Sequence, residues 1–323
     1  MDFTKYRAIL NCTLSKLRLG ALSLQYADRK DITQSGVYFT QQGFRMSSLD
    51  DIFSKLKQLP TMPALLHELM QDFANENSKI EDIAKKISMD QSISARVLKM
   101  ANSVVYNRGI EVTSIDQAVI RIGFKQVSSL VVATALNNTF KTPKSFDKNQ
   151  FWINTFEIAT LAKSIARESR KIDPETAFTC ALIHNIGELL VQQCFPTEAE
   201  LINASVASGC SRIDAQREMI GYDYSQLGAE LVRRWKLPEF FVHSTEQHLN
   251  PMEYDDPNPG ALIIRLAIFV EFAVNAGVPA DIIVKRFPSS ITSKLDIDPS
   301  KLVEQINKAG EGLNELAEIL TSA

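Results

Sequence analysis

The stretch Asp173-Pro174-Glu175-Thr176-Ala177-Phe178-Thr179-Cys180-Ala181-Leu182-Ile183-His184-Asn185-Ile186-Gly187 shows the architecture most clearly. Asp173 offers a side-chain oxygen to the free amides of a helix start. Pro174 fits the first helical position, where a missing N–H costs nothing. Glu175 places a negative charge in the positive first turn. The pattern predicts a helix from Pro174 through Ala181 to Gly187, apolar except around His184.

The same style repeats on both sides. Downstream, Ser211–Ile220 and Tyr224–Trp235 read as helices, the second stopped before Pro238. The cluster Asp255-Asp256-Pro257-Asn258-Pro259-Gly260 is the strongest breaker in the chain. An apolar helix, Ala261–Ala276, follows, and then a tail with Asp298-Pro299 and Ser300–Leu320. Upstream, Phe151–Arg170 is one helix. Ser78 with Glu81 and Ser114 with Gln117 read as capping boxes, and Asp90 caps a helix carrying Ile93, Val97, Leu98 and Ala101. Gly123 breaks the pattern before the apolar run Val127–Leu136, and Thr142-Pro143 with Lys144–Gln150 reads as a linker. In the first 47 residues Tyr6–Leu24 reads as a helix, while Ile32–Phe44 is a candidate short β-hairpin or irregular arm. No other strand signal stands out, so the expected class is all-α. The expected organisation is a basic arm over 1–47, a helical domain over 48–276 with halves 48–145 and 150–276, and a helical tail over 277–323.

Composition agrees. The 323 residues carry 35 basic and 38 acidic side chains, a net charge of −3, with 45% hydrophobic and 23% charged residues. That is ordinary globular usage, and 13 Gly with 12 Pro disfavour collagenous or disordered chains. The charge is uneven. Residues 1–47 hold seven basic side chains against three acidic, or +4, which reads as a solvated surface or a face for an acidic partner. Cys12, Cys180, Cys194 and Cys210 form no CxxC pair, as expected of a reducing cytosol. Met1–Arg7 lacks an apolar run, so no secretory signal is expected. The stretch Ala261–Val278 is interrupted by Arg265, Glu271 and Asn275, which makes it a buried helix rather than a membrane span.

The common catalytic signatures GxxxxGK[ST], GxGxxG, GxSxG and HExxH are absent, and the histidines are His67, His184, His243 and His248. A set of weaker motifs occurs in one order. Leu59-Pro60-Thr61-Met62-Pro63, Met89–Leu98 with Ala101-Asn102-Ser103, and Thr113–Ala118 with Arg121-Ile122-Gly123 resemble the first half of an HDOD domain. Phe151-Trp152, Ala177-Phe178, Ala181–Gly187, Gly228-Ala229-Glu230-Leu231 and Trp235-Lys236-Leu237-Pro238 resemble its second half. Together they cover roughly residues 58–250.

The resemblance implies an HD-like helical bundle, because HDOD domains are similar to the HD metal-dependent phosphohydrolases. In those enzymes a His, a His-Asp dyad and a later Asp hold a divalent metal that activates water. Carried onto this sequence, the first His position holds Asn154, the dyad reads His184-Asn185, an auxiliary His position holds Tyr224, and the final Asp falls near Ile268. His184 and His248 are the remaining candidate ligands. Two imidazoles without a carboxylate do not resemble a hard-cation site. No metal, cofactor or catalytic residue is therefore expected, and the cluster should hold hydrogen bonds or water rather than an ion at metal-ligand distances.

Blander readings stand beside these. His184 also reads as a buried histidine bonded to Asn154, and His248 as a surface residue at a helix end. Cys180, one turn before His184, reads as core packing rather than a thiolate nucleophile. The helices of Ser78–Ala101 resemble a helix-turn-helix, but five basic against three acidic residues is a modest supply for phosphate contacts. The resemblance thus implies a non-catalytic regulatory module of bacterial signal transduction, cytoplasmic, acting on a protein partner, with neither membrane nor nucleic acid. The alternatives are a residual metal phosphohydrolase and a DNA-binding regulator. For the partner surface, Asn102–Gly109 is the candidate loop, with Tyr106 and Arg108 as anchors; the competing reading tucks Val104 and Tyr106 under the bundle.

Overall fold

Local capping explains where eight of the eighteen described helices begin. Ser48 opens α1 (Leu49–Lys55) with a capping box, its hydroxyl accepting from the Asp51 amide while the Asp51 carboxylate accepts from its own. Helices α2 (Ala64–Asp72) and α3 (Ile80–Met89) follow, and Asp90 caps α4 (Gln91–Ala101). Ser114 caps α5 (Ile115–Ile122) through the Gln117 amide. The expected reciprocal half of that box is displaced by one residue, because the Gln117 side chain accepts from Thr113 N instead. Gly123, at φ +89°, turns the chain into α6 (Phe124–Thr139). A computed structural model describes residues 48–321, apart from 57–58, 73–79, 107–108, 110, 309–310 and 312. The arm over 1–47 and the Ser78–Glu81 box lie outside them, as does Arg108.

The second half begins at Asp147, which caps α7 (Lys148–Ser169), so the linker is shorter than its polar composition suggested. Asp173 caps α8 (Pro174–Ile183) through the amides of Glu175 and Thr176. Then come α9 (Ile186–Cys194), α10 (Pro196–Ala207), α11 (Arg212–Ile220), α12 (Tyr224–Arg234), α13 (Glu239–Gln247) and α14 (Pro259–Asn275). The tail forms α15 (Ala280–Val284), α16 (Ser289–Leu295), α17 (Val303–Asn307) and α18 (Leu313–Thr321). Among the described residues there is no strand, and the fold is an all-α, HD-like bundle.

Helix α7 is the axis, with α8, α14 and α18 packed along it. Trp152 and Phe156 on α7 are fully buried. One hydrophobic core runs through both halves and the tail, and Leu316 and Leu320 of α18 belong to it. Two polar contacts fasten distant parts. Buried Asn137 on α6 accepts from Trp152 Nε1 (3.0 Å) and donates to the Leu320 carbonyl (2.8 Å). Trp235 Nε1 donates to the Pro60 carbonyl (3.0 Å), so two of the motifs that carry the resemblance touch in space.

Candidate functional site

The sequence pattern predicts an unbroken helix through Gly187, but the chain turns at His184-Asn185. Helix α8 ends at Ile183 and α9 starts at Ile186, with Asn185 at φ −111°, ψ 16°. The cause lies across the bundle. A Cβ on Gly187 would stand 1.9 Å from the Tyr224 carbonyl oxygen, and one on Gly228 would stand 3.2 Å from Gly187 N. Helices α9 and α12 therefore cross backbone to backbone, a fit that only glycine permits. The turn brings the end of α8 and the start of α12 together.

His184 and His248 occupy equivalent positions, each just past a helix end. His184 Nδ1 lies 2.6 Å from the Ala181 carbonyl, and His248 Nδ1 lies 2.7 Å from that of Thr245. A carbonyl can only accept, so both rings carry their proton on Nδ1 when neutral. His248 Nε2 then accepts from the Tyr224 hydroxyl at 3.1 Å. The two imidazoles meet edge to face with centroids 5.1 Å apart. His248 is completely buried, which corrects the expectation of a surface histidine. His243 is exposed on α13 between Glu239 and Glu246, and His67 lies on α2.

Asn154 does not reach the histidine pair. It accepts from Gln150 Nε2 at 2.7 Å on its own helix, so the expected His184–Asn154 bond is replaced by the Ala181 carbonyl. The neighbouring Thr155 takes the inward position: Asn185 Nδ2 donates to Thr155 Oγ1 at 2.8 Å, while Asn185 Oδ1 is buried without a partner. Ile268 is half-buried against the core. Tyr106 packs against the core with its hydroxyl accepting from Gln126 Nε2 at 3.1 Å, which withdraws it from the exposed anchors.

The electrostatics follow from burial. Loss of water pushes His184 down to about 4, the Ala181 bond opposing. His248 is held well below the ordinary imidazole value by burial, then by His184 and Arg265. Burial pushes the Cys180 thiol up to about 12, with Ser244 as its side-chain partner, so no thiolate forms there. Glu188 is raised by burial, against the pull of Arg212. Its carboxylate accepts from Gln216 (2.8 Å) and pairs with Arg212 (3.5 Å). Asp223 pairs with Arg217 at 2.7 Å and caps α12.

A family model for the HDOD domain matches residues 59–251. The chain belongs to the HDOD family. A protein from Shewanella amazonensis SB2B, provisionally named a phosphohydrolase, is 31% identical with a TM-score of 0.72, covering 83% of this chain and 97% of its own. An HDOD domain protein of unknown function from Geobacter sulfurreducens, 18% identical, reaches 0.75 over 86% and 99%. A curated protein from Treponema pallidum (strain Nichols) is 23% identical over 217 residues, which is 63% of this chain and 40% of that protein.

A divalent metal at this HDOD site does not fit the donors present. Among the described residues no group of three or more His, Cys, Asp and Glu side chains could hold an ion. Asn185 replaces the dyad carboxylate, and the nearby Glu188 is engaged by Arg212 and Gln216. Sequence reading missed Thr155, Glu188, Gln216 and Arg265 as members of the cluster. The available signal was the lone arginine inside the apolar 259–275 helix, since a cation in such a helix must face something polar.

Proposed function

We propose that this HDOD protein is a non-catalytic regulatory module of bacterial signal transduction, cytoplasmic, acting through contact with a protein partner. The observation that carries the reading is the donor set of the histidine cluster. Both Nδ1 protons are committed to helix carbonyls, one Nε2 lone pair is taken by Tyr224, and the dyad's second position is an amide bonded to Thr155. Water activation by a hard cation needs carboxylate ligands and open positions; the one carboxylate of this cluster, Glu188, is held by Gln216 and Arg212, which leaves imidazole, phenol and amide. A catalytic role for Cys180 is disfavoured by a thiol that stays protonated. A DNA-reading role for α3 and α4 is disfavoured because Ile93 and Val97 are buried in the core.

The name of the Shewanella relative keeps one second reading in view, a residual phosphohydrolase. Metal content separates the two. After incubation with manganese or zinc and gel filtration, the purified chain is expected to retain well under one ion per molecule. Retention of about one or two ions, lost in His184→Ala, would support the enzyme instead.

A further inference from the structure

Helix α18 lies outside residues 59–251, the HDOD domain, yet it sits in a groove that the domain supplies. The groove is walled by α4 and α6 of the first half and α7 of the second. Leu313, Leu316, Ala317 and Leu320 fill it, each at most 2% exposed, while Asn314 and Glu318 face out. That spacing, i, i+3, i+4 and i+7, is the pattern by which an amphipathic helix enters a groove on another protein.

The polar contacts of the seat read general helix features more than this one sequence. Asn137 Nδ2 donates to the Leu320 carbonyl (2.8 Å), a group that any helix offers in its last turn. The Val104 amide donates to the Glu315 carboxylate (3.0 Å), and Thr321 Oγ1 donates to Asn149 Oδ1 (3.2 Å). At nine residues α18 is marginal as an isolated helix, so its order depends on the seat. Val104 remains exposed although its amide is bound to Glu315. Apolar surface at the edge of the groove is thus left uncovered by α18, and a longer helix gains a contact that α18 lacks.

We propose that this groove is the partner surface, with α18 as its resident occupant and an amphipathic helix of the partner displacing it. The partner helix carries apolar residues at i, i+3, i+4 and i+7 and a carboxylate at i+2 for the Val104 amide. This surface rests on the contact-based reading proposed above and gives it a location.

Two measurements on the full chain test it. In native-state hydrogen exchange, the amides of Leu316–Leu320 are expected to exchange at least about 100-fold faster than those of Ala159–Ala162 on α7. A fluorescein-labelled peptide with the sequence of residues 311–323 then stands in for the partner helix, read by anisotropy. With α18 seated the peptide binds weakly, because the open state is rarely populated. Leu316→Ala in the chain weakens the resident helix and is expected to tighten peptide binding at least about tenfold. Should that chain fold poorly, Glu315→Ala, which loses only the bond from the Val104 amide, is expected to shift binding in the same direction. A peptide carrying Leu316→Asp is expected not to bind. Three results would overturn the surface: equal exchange in α18 and α7, no saturation below about 1 mM with either variant chain, or equal binding of the Leu316→Asp peptide. A concentration-dependent dimer of the wild-type chain, dissociated by the peptide, would give the groove to a second copy and overturn the partner helix as well. Metal content and turnover do not involve α18, so failure here leaves the non-catalytic reading to those measurements.

Discussion

Gly187 has no space for a methyl group. The Tyr224 carbonyl stands 1.9 Å from where its Cβ would be, and backbone cannot swing aside as a side chain can. Gly187→Ala is expected to destabilise by about 3 kcal/mol or more, at the upper end of overpacking costs. Gly228→Ala, whose nearest contacts are 3.2 Å, should cost nearer 1 kcal/mol; urea midpoints of the two variants check the order. The histidines give a pH dependence with a definite sign. An unfolded imidazole takes up its proton near pH 6.5, but folded His184 does so only near 4. As pH falls through that window the unfolded chain binds a proton that the native state refuses. Stability is therefore intact above pH 6.5 and declines toward pH 4 by about 1.4 kcal/mol per pH unit for each such histidine. Urea midpoints recorded from pH 7 to 4.5 should fall less steeply in His184→Gln than in wild type. Identical slopes would remove His184 from the buried, neutral state described above.

Element ends were legible where a cap is a property of two or three adjacent residues. Asp90, Ser114 and Asp173 read as caps and accept from amides just inside their helices, whereas Asp147 does the same from within the stretch that read as a linker. The break at His184-Asn185 was not legible, because it is set by the close crossing of Gly187 with α12, which is remote in sequence. The position of Asn154 was misread for a related reason: a helix rotation of one residue puts Thr155 inside and leaves Asn154 to Gln150. The tail read correctly as helical, but nothing local showed that α18 closes the core. Its attachment is polar as well as apolar, through Asn137. Asn137→Ala orphans both the Trp152 indole N–H and the Leu320 carbonyl and is expected to cost about 2–4 kcal/mol. Leu316→Ala, at a fully buried position, falls in the same 2–5 kcal/mol range, about that of other core leucines. Chemical denaturation of each variant measures this. A loss below about 0.5 kcal/mol for either would show α18 to be an appendage.

At the scale of the molecule, a single core runs through both halves, 48–145 and 150–276, and through the tail. Under the proposed regulation by contact, the loop after α4 is a weaker candidate surface than its composition suggested. Tyr106 is tied to Gln126, while Val104 is exposed and its amide donates to Glu315 on α18 (3.0 Å). Tyr106→Ala is accordingly expected to lower stability, by about 3 kcal/mol, rather than to act through a partner alone. The central claim is that the histidine cluster has left metal-dependent hydrolysis behind. Its most direct test is turnover of cyclic dinucleotides and a generic phosphodiester by the purified chain, with added manganese, beside His184→Ala. The account predicts no turnover above the protein-free rate for either protein; manganese-dependent hydrolysis that disappears in His184→Ala would contradict it.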